Sequence, residues 1–260
     1  MRLISAMQSV ADAVHLVGLD WMAPARRPFA RAARKELRAL RFRSQARVRP
    51  VPLAEYIGRV SAEPQADVVV PPATLRLDEI AGPAYFYTLG ALCRAQAPNF
   101  ILEIGTYLGF GTLTLALNSG ADCRIVTIDL PPRVALESMA RLRPDDQYLV
   151  HRSRSRVGEA FAGQPSAVKI KQVLTDSTSI GFADLLPCAE LVFIDGAHSF
   201  EAVKSDTENA LTILAAGGLI IWDDYGPVCP GVVRFLDDLS REWQLFQIEG
   251  TNFVVYRQGQ

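Results

Sequence analysis

From residue 100 onward, short apolar runs alternate with longer stretches of helical periodicity. Five of these runs predict buried strands, at Phe100–Ile104, Arg124–Asp129, Lys171–Thr175, Glu190–Ile194 and Leu219–Trp222. The alternation is typical of βαβ units and predicts a parallel sheet. Two later runs, Trp243–Ile248 and Asn252–Tyr256, predict a closing antiparallel hairpin after a helix around Val232–Ser240. We therefore predict an α/β fold: a Rossmann-like, seven-stranded, mostly parallel sheet with helices on both faces.

The first 60 residues have a different pattern, with helical periodicity and no strand signal. One apolar helical face is formed by Leu3, Met7, Val10, Val14 and Val17. A second face runs from Phe29 to Leu40 and is surrounded by basic residues. We predict a basic helical extension over residues 1–62, a linker near residues 63–74, and one domain over residues 75–260 that opens with a helix at 79–97.

Charge divides the chain in the same way. The net charge is −1, but residues 1–60 carry +8 and residues 61–260 carry −9. Because no nucleic-acid-binding motif accompanies the basic stretch, we expect no nucleic-acid partner. The simplest interpretation of the basic helix is a solvated face on a packing helix, and contact with an anionic membrane or an acidic substrate stays open. The extension could also mediate homo-oligomerisation.

The composition bears on the cellular compartment of the protein and on whether its cysteines bind zinc. No apolar run approaches the ~18 residues that a membrane-spanning helix needs, so we expect no transmembrane segment. The four cysteines, Cys93, Cys123, Cys188 and Cys229, show no CxxC spacing. We therefore expect reduced thiols in a cytoplasmic protein, and the spacing does not predict a zinc site.

Each of the five predicted parallel strands ends in an acid or runs directly into one. The six acids are Glu103, Asp129, Asp176, Asp195, Asp223 and Asp224. Ligands of open α/β sheets bind at the carboxyl ends of the strands, and six acids at one edge would repel one another. Any one of them could be a helix N-cap. Together they favour a site for a cationic ligand, ribose hydroxyls or a metal.

The turn after the first of these strands narrows the ligand class. It has the spacing Gly105-x-x-x-Gly109-x-Gly111, whereas dinucleotide-binding turns have GxGxxG. An acid inside the strand suits a cationic ligand without a pyrophosphate. Asp129 lies 24 residues after Gly105, at the end of the next strand, where an acid can bind a ribose diol. The pattern therefore indicates an adenosyl cofactor.

These residues also carry a family resemblance. E-I-G-T-Y-L-G at 103–109, followed by V-T-I-D at 126–129, resembles the first two cofactor motifs of the class I S-adenosylmethionine-dependent methyltransferases. F-I-D-G-A-H-S-F-E-A-V-K-S-D at 193–206 and A-A-G-G-L-I-I-W-D-D-Y at 215–225 are similar to the bacterial macrocin-type sugar O-methyltransferases, and more distantly to the catechol O-methyltransferases. The resemblance spans residues ~80–256 and does not include residues 1–60.

The resemblance implies S-adenosylmethionine as the cofactor and gives each motif residue a role. Cofactor-binding positions are Glu103, Gly105, Tyr107 and Gly109 near the methionine part, Asp129 at the ribose, and Asp176 and Ser177 beside the adenine. Catechol-type relatives have a hydroxyl residue where this chain has Gly111, and the neighbouring Thr112 could replace it. Outside the motif positions, Lys204, Asp206 and Glu208 are expected to be solvated or capping groups.

The resemblance also implies a metal and a general base. Asp195, Asp223 and Asp224 match positions that coordinate a divalent cation, and their oxygen ligands suit Mg²⁺. Catechol-type relatives carry Asn at the position of Asp224. His198 lies three residues after Asp195, where those relatives place a lysine base, and histidine is a good base near neutral pH. An N-cap or packing histidine is the alternative.

The sequence thus predicts an S-adenosylmethionine-dependent O-methyltransferase that acts on a hydroxyl of a small molecule or a sugar. His198 and Asp195 are the predicted catalytic residues, and a divalent metal assists. Three alternatives stay open: a metal-independent methyltransferase with another acceptor, a nicotinamide-dependent Rossmann oxidoreductase, and a non-enzymatic adenosyl-binding protein.

Overall fold

The protein was analysed as a computed structural model. The structure describes residues 45–61, 67–71, 82–131, 142–153 and 155–259, together with residues 38 and 42. The chain divides into two compact units, Met1–Gln45 and Ala46–Gln260. Apart from residue 38, the helices predicted between residues 3 and 40 lie outside the described residues, as does any oligomerisation surface on them.

Among the described residues, the second unit is built on one eight-stranded sheet. Its strands are β1 (Arg49–Val51), β2 (Phe100–Ile104), β3 (Arg124–Asp129), β4 (Ile170–Leu174), β5 (Ala189–Ile194), β6 (Leu214–Trp222), β7 (Phe246–Ile248) and β8 (Val254–Arg257). The helices are α1 (Leu53–Val60), α2 (Pro83–Gln96), α3 (Phe110–Asn118), α4 (Pro144–Ser153), α5 (Phe200–Leu211) and α6 (Pro230–Leu239). Short 3₁₀ helices lie at Pro165–Lys169 and Ser177–Ser179. None of the described helices is both long and apolar enough to cross a membrane.

The strand order is β1-β7-β8-β6-β5-β2-β3-β4. Strand β8 is antiparallel to both of its neighbours, and every other pairing is parallel. The mostly parallel sheet and the closing hairpin are therefore confirmed. The chain runs outward from β2 in one direction through β3 and β4, and in the other through β5 and β6. This reversal places a crevice at the carboxyl ends of β2 and β5, where ligands bind in open α/β sheets.

The predicted count of seven strands is wrong, because β1 adds an eighth from the segment assigned to the helical extension. Strand β1 pairs in parallel with β7 at the sheet edge, and Val51 is buried. An edge strand tolerates Pro50, which has no N–H to donate. Helix α1 then packs Tyr56 against Phe246, with 6.0 Å between the ring centroids. The sheet therefore starts upstream of the predicted linker.

The central strands form the core that positions the strand ends. All five residues of β2 are buried, and the β5 residues Leu191, Val192 and Phe193 have no exposed surface. Continuous apolar runs of this kind are expected where both faces of a parallel sheet are covered. Trp222, at the end of β6, is buried as predicted, and its indole N–H donates to Thr207 at 2.9 Å.

Candidate active site

Strand register brings the ends of β2, β5 and β6 level with one another. Ile104 pairs with Ile194, and Ile194 pairs with Trp222. The residues that follow continue the ladder: the amide of Asp195 donates to the Ile104 carbonyl at 2.8 Å, and the amide of Asp223 donates to the Ile194 carbonyl at 3.0 Å. Asp195 and Asp223 therefore leave the sheet side by side.

Asp195, Asp223 and Asp224 form a cluster, called here the carboxylate cluster. One oxygen from each residue lies within 4.8 Å of the others. Asp224 adopts a left-handed backbone with φ of 63°, and its amide donates to Asp223 Oδ1 at 2.6 Å. The cluster lines a cleft together with His198. The structure thus brings together the three acids predicted to bind a metal.

The electrostatics of the carboxylate cluster suit a hard cation. Burial, followed by the charge of the nearby Asp224, raises the pKa of Asp223 to about 8. Burial, followed by the charges of Asp223 and Asp224, raises the pKa of Asp195 well above its usual value. A divalent ion would relieve this repulsion, and carboxylate oxygens are the ligands that Mg²⁺ prefers. The residues therefore fit a divalent cation.

His198 lies between two carboxylates. Its Nδ1 contacts Asp146 Oδ1, its amide donates to Asp146 Oδ2 at 3.2 Å, and its Nε2 lies 2.5 Å from Asp224 Oδ2. Burial lowers the pKa of His198, but the hydrogen bonds to Asp146 and Asp224 outweigh burial and raise the pKa to about 11. An imidazolium has no lone pair, so His198 cannot accept a proton while this arrangement lasts.

Asp146 is a site residue that the sequence analysis missed. It lies in the first turn of α4 and is buried, whereas the side chain of the adjacent Asp145 is 79% exposed. Burial raises the pKa of Asp146, but its hydrogen bonds with His198 outweigh burial and lower it. In the sequence, Asp145 and Asp146 look like the acids commonly found at a helix N-terminus. Nothing in that pattern separates one from the other.

The glycine-rich turn after β2 packs directly against the carboxylate cluster. Gly105 has a φ of 99°, and a Cβ at this position would lie 1.9 Å from the Asp195 carbonyl oxygen. Gly109, with a φ of 87°, caps α3. Tyr107 is also left-handed, and its amide donates to Asp129 Oδ2 at 2.6 Å. Gly105 therefore approaches the Asp195 backbone, and Tyr107, in the same turn, contacts Asp129.

Glu103 lies beneath this turn and has no exposed surface. Its Oε2 accepts hydrogen bonds from Thr127 at 2.5 Å and from Thr112. Its Oε1 has no hydrogen-bond partner among the described residues, and burial raises the pKa of Glu103 to about 8. The Thr112 hydroxyl is therefore engaged with Glu103 and does not replace the hydroxyl missing at Gly111. Contact between Glu103 and a cofactor stays a prediction.

Asp176, which follows β4, is hydrogen-bonded to a short helix at the end of this strand. Asp176 caps the 3₁₀ helix Ser177–Ser179 by accepting hydrogen bonds from the Thr178 amide and hydroxyl at 3.0 and 2.7 Å. Asp206, on α5, is buried, so its prediction as a solvated group is wrong. Burial outweighs the lowering effect of a hydrogen bond with the Ser177 side chain and raises the pKa of Asp206 to about 7. The capping alternative therefore describes Asp176, and α5 supports the turn beside it.

Two further residues reach the carboxylate cluster from elements that the motifs do not include. Tyr85, on α2, donates its hydroxyl to Asp195 Oδ2 at 3.0 Å. Cys229, just before α6, places its Sγ within 4.8 Å of ligand atoms of His198 and Asp224. Tyr85 precedes Asp195 by 110 residues, so no local sequence pattern indicates the pair.

Comparison with known proteins places this site in a methyltransferase fold. A family model described as a methyltransferase domain matches residues 102–225. The O-methyltransferase TomG of Streptomyces achromogenes, solved in complex with SAM, has a TM-score of 0.50 at 18% identity, covering 85% of this chain and 96% of that one. A Geobacter sulfurreducens methyltransferase has a TM-score of 0.52 at 19% identity, covering 80% and 96%. The chain has the Rossmann-like fold of these methyltransferases.

Curated relatives share part of this chain. The transmembrane O-methyltransferases of Homo sapiens and Pan troglodytes are each 27% identical to it over 168 residues, or 60% of this chain. The chain matches 48% of their length, so it spans about half of these relatives.

Proposed function

We propose that this protein is an S-adenosylmethionine-dependent O-methyltransferase that acts on a hydroxyl of a small molecule or a sugar with the help of a divalent cation. The observation that carries the proposal is the position of the carboxylate cluster: its oxygens lie within 4.8 Å of one another beside the turn where Gly105 approaches Asp195. The methyltransferase-domain match over residues 102–225 supports the reaction class.

The cofactor would lie over the glycine-rich turn. We assign Gly105, Tyr107 and Gly109 to its methionine end, because Gly105 closely approaches the Asp195 carbonyl. Asp129 is assigned to the ribose. We retain Asp176 and Ser177 as the adenine turn and give Glu103, which is buried beneath the glycines, a supporting role. S-adenosylmethionine, when bound, supplies an activated methyl group on a sulfonium.

The carboxylate cluster would hold a divalent cation such as Mg²⁺, which supplies Lewis-acid polarisation of an acceptor oxygen. The Tyr85 hydroxyl donates to Asp195 Oδ2 and fixes its side chain, and the hydrogen bond from the Asp195 amide to the Ile104 carbonyl fixes its backbone. Two neighbouring hydroxyls suit an oxygen-binding cation, so we propose a vicinal diol on a sugar or a catechol-like acceptor. This acceptor class agrees with the resemblance to macrocin-type enzymes.

His198 would act as the proton acceptor only in a state where Asp224 no longer pairs with Nε2. In that state Asp146 still holds Nδ1, which leaves the Nε2 lone pair facing the cleft. Proton transfer to a positioned histidine contributes about 10²–10⁴-fold to a reaction rate.

Cofactor binding is tested by thermal unfolding with S-adenosylhomocysteine and, separately, NADH. We expect S-adenosylhomocysteine to stabilise the folded chain by about 2.7 kcal/mol at a hundredfold excess over its Kd. Asp129→Ala should weaken this effect, and the exposed Asp122→Ala should not. If NADH stabilises the chain and S-adenosylhomocysteine does not, the proposal is wrong and the oxidoreductase alternative is supported.

A further inference from the structure

A second group of metal-ligating atoms adjoins the carboxylate cluster. A ring nitrogen of His198, a carboxylate oxygen of Asp224 and the Sγ of Cys229 all lie within 4.8 Å of one another. The group shares Asp224 with the carboxylate cluster, but it offers nitrogen, oxygen and sulfur. Thiolate and imidazole ligands select Zn²⁺ and similar transition metals, whereas Mg²⁺ prefers oxygen alone.

The hydrogen bonding of His198 is a separate observation that points to a metal. Asp146 occupies Nδ1 and the backbone amide of His198, which leaves Nε2 directed at Asp224. A histidine that ligates a metal almost always gives its other ring nitrogen to a carboxylate or a carbonyl, which fixes the ring. Asp146 therefore holds His198 in the orientation of a metal ligand through Nε2.

The backbone fixes Cys229 relative to His198. Cys229 is buried, with 7% of its surface exposed, and it is the N-cap residue of α6. Two residues later, a Cβ on Gly231 would lie 2.5 Å from the His198 carbonyl oxygen. The start of α6 is thus pressed against the His198 backbone, so the thiol and the imidazole are held together by main-chain packing.

We propose that His198, Asp224 and Cys229 form a binding site for a borderline-soft divalent cation such as Zn²⁺ or Co²⁺, which shares only Asp224 with the carboxylate cluster. Ligand atoms of a tetrahedral site lie about 3.3–3.8 Å apart, given metal–ligand bonds of about 2.0–2.3 Å. The Cys229 Sγ needs to draw in by no more than about 1.5 Å, and the pair between Nε2 and Asp224 opens from 2.5 Å. The thiol proton and the Nε2 proton pass to solvent as the metal–sulfur and metal–nitrogen bonds form.

The site has a consequence for catalysis that rests on the proposed function. An ion bound there takes Asp224 from the carboxylate cluster and occupies the Nε2 lone pair of His198. Methyl transfer supported by Mg²⁺ should therefore be inhibited by Zn²⁺ when the two ions compete. The inhibition should be weaker in Cys229→Ser, because that variant lacks the sulfur ligand.

Cobalt titration of the full chain tests the site without cofactor or acceptor. A cysteine ligand gives Co²⁺ a thiolate-to-metal charge-transfer absorption in the near ultraviolet. We expect this band to saturate at about one equivalent, to vanish on addition of Zn²⁺, and to persist in excess Mg²⁺. Cys229→Ser should lose the band, and Cys188→Ser, which alters the exposed cysteine, should keep it.

His198→Gln keeps the thiol and serves as a second variant if Cys229→Ser does not fold, as judged by circular dichroism. It should weaken Co²⁺ binding by about tenfold or more. The proposal is overturned if the unaltered chain gives no charge-transfer band, or if Cys229→Ser retains it. A chain that shows the band but transfers no methyl group would retain this site and contradict the proposed function, so the two failures are distinguishable.

Discussion

Replacing Glu103 with glutamine tests how this buried acid makes the free energy of unfolding depend on pH. Glu103 has no exposed surface, and burial raises its pKa from 4.5 to about 8. In the folded chain the carboxyl stays protonated up to that pH, whereas in the unfolded chain it ionises near 4.5. The folded state therefore binds more protons between these values, and the free energy of unfolding falls as the pH rises. Glutamine keeps the shape and does not titrate.

The magnitude follows from the size of the pKa shift. Each pKa unit corresponds to about 1.4 kcal/mol, so the full penalty above pH 8 is on the order of 5 kcal/mol. Near pH 5, Glu103→Gln should unfold with a free energy within about 1–2 kcal/mol of the parent. At about pH 9 the variant should be more stable by a few kcal/mol, because it avoids burying a charge.

Urea unfolding of both ligand-free proteins from about pH 5 to 9 measures this difference. Asp129 interacts electrostatically with Glu103, so the difference between the two curves reports Glu103 together with its effect on that neighbour. The exposed Glu242→Gln is the matched control and should follow the parent. Parallel curves for the parent and Glu103→Gln would refute the reasoning. S-adenosylhomocysteine affinity should change by no more than about threefold, since Glu103 lies beneath the turn, and a loss above about tenfold would instead show that Oε1 contacts the ligand.

Three further predictions concern the turn, the histidine and the sheet edge. Gly105→Ala should destabilise the fold by about 3 kcal/mol or more and abolish cofactor binding, because its Cβ would meet a carbonyl oxygen at 1.9 Å. The control is Gly163→Ala, where φ is also positive but the space around the Cβ is open. This control should lower the free energy of unfolding, measured in urea, by only about 1 kcal/mol. Asp146→Ala should lower kcat about 10–100-fold and leave S-adenosylhomocysteine binding unchanged. Asp145→Ala should change neither kcat nor S-adenosylhomocysteine binding. Deleting Met1–Gln45 should leave a folded, cofactor-binding chain, whereas deleting residues 1–61 removes β1 and α1 and should lower Tm by several degrees. If the two glycine variants, the two aspartate variants or the two truncations behaved alike, the packing inferred at the turn, at His198 or at the sheet edge would be contradicted.

The sequence predicted the central sheet well because its strands are short, apolar and bounded by acids. The limits of β2 and β3 match the predicted runs Phe100–Ile104 and Arg124–Asp129. The sequence analysis did not predict strand β1, because its three residues, which include Pro50, are too few to show the alternation of apolar and polar positions typical of a strand. Its burial depends on pairing with β7, almost 200 residues later, which a local pattern cannot show.

The candidate site was likewise predicted in part. Parallel strands explain why acids at successive strand ends reach one edge, but register and turn geometry decide which of them meet. Asp195, Asp223 and Asp224 converge, whereas Asp176 caps a 3₁₀ helix. Asp146 is joined to the site by a contact over 52 residues, and its neighbour in the sequence has the same chemistry. Such long-range partners follow from packing and have no signature in the motif.

The most direct test of the central claim is transfer of a labelled methyl group from S-adenosylmethionine to a panel of vicinal diols and catechols, with EDTA and then with added Mg²⁺. We predict transfer to a hydroxyl that disappears in EDTA and returns with Mg²⁺. Asp223→Asn should abolish transfer while S-adenosylhomocysteine still binds, because the glycine-rich turn is unchanged. Full transfer in EDTA would remove the cation from the mechanism and support the metal-independent alternative. Absence of both transfer and S-adenosylhomocysteine binding would contradict the methyltransferase account itself.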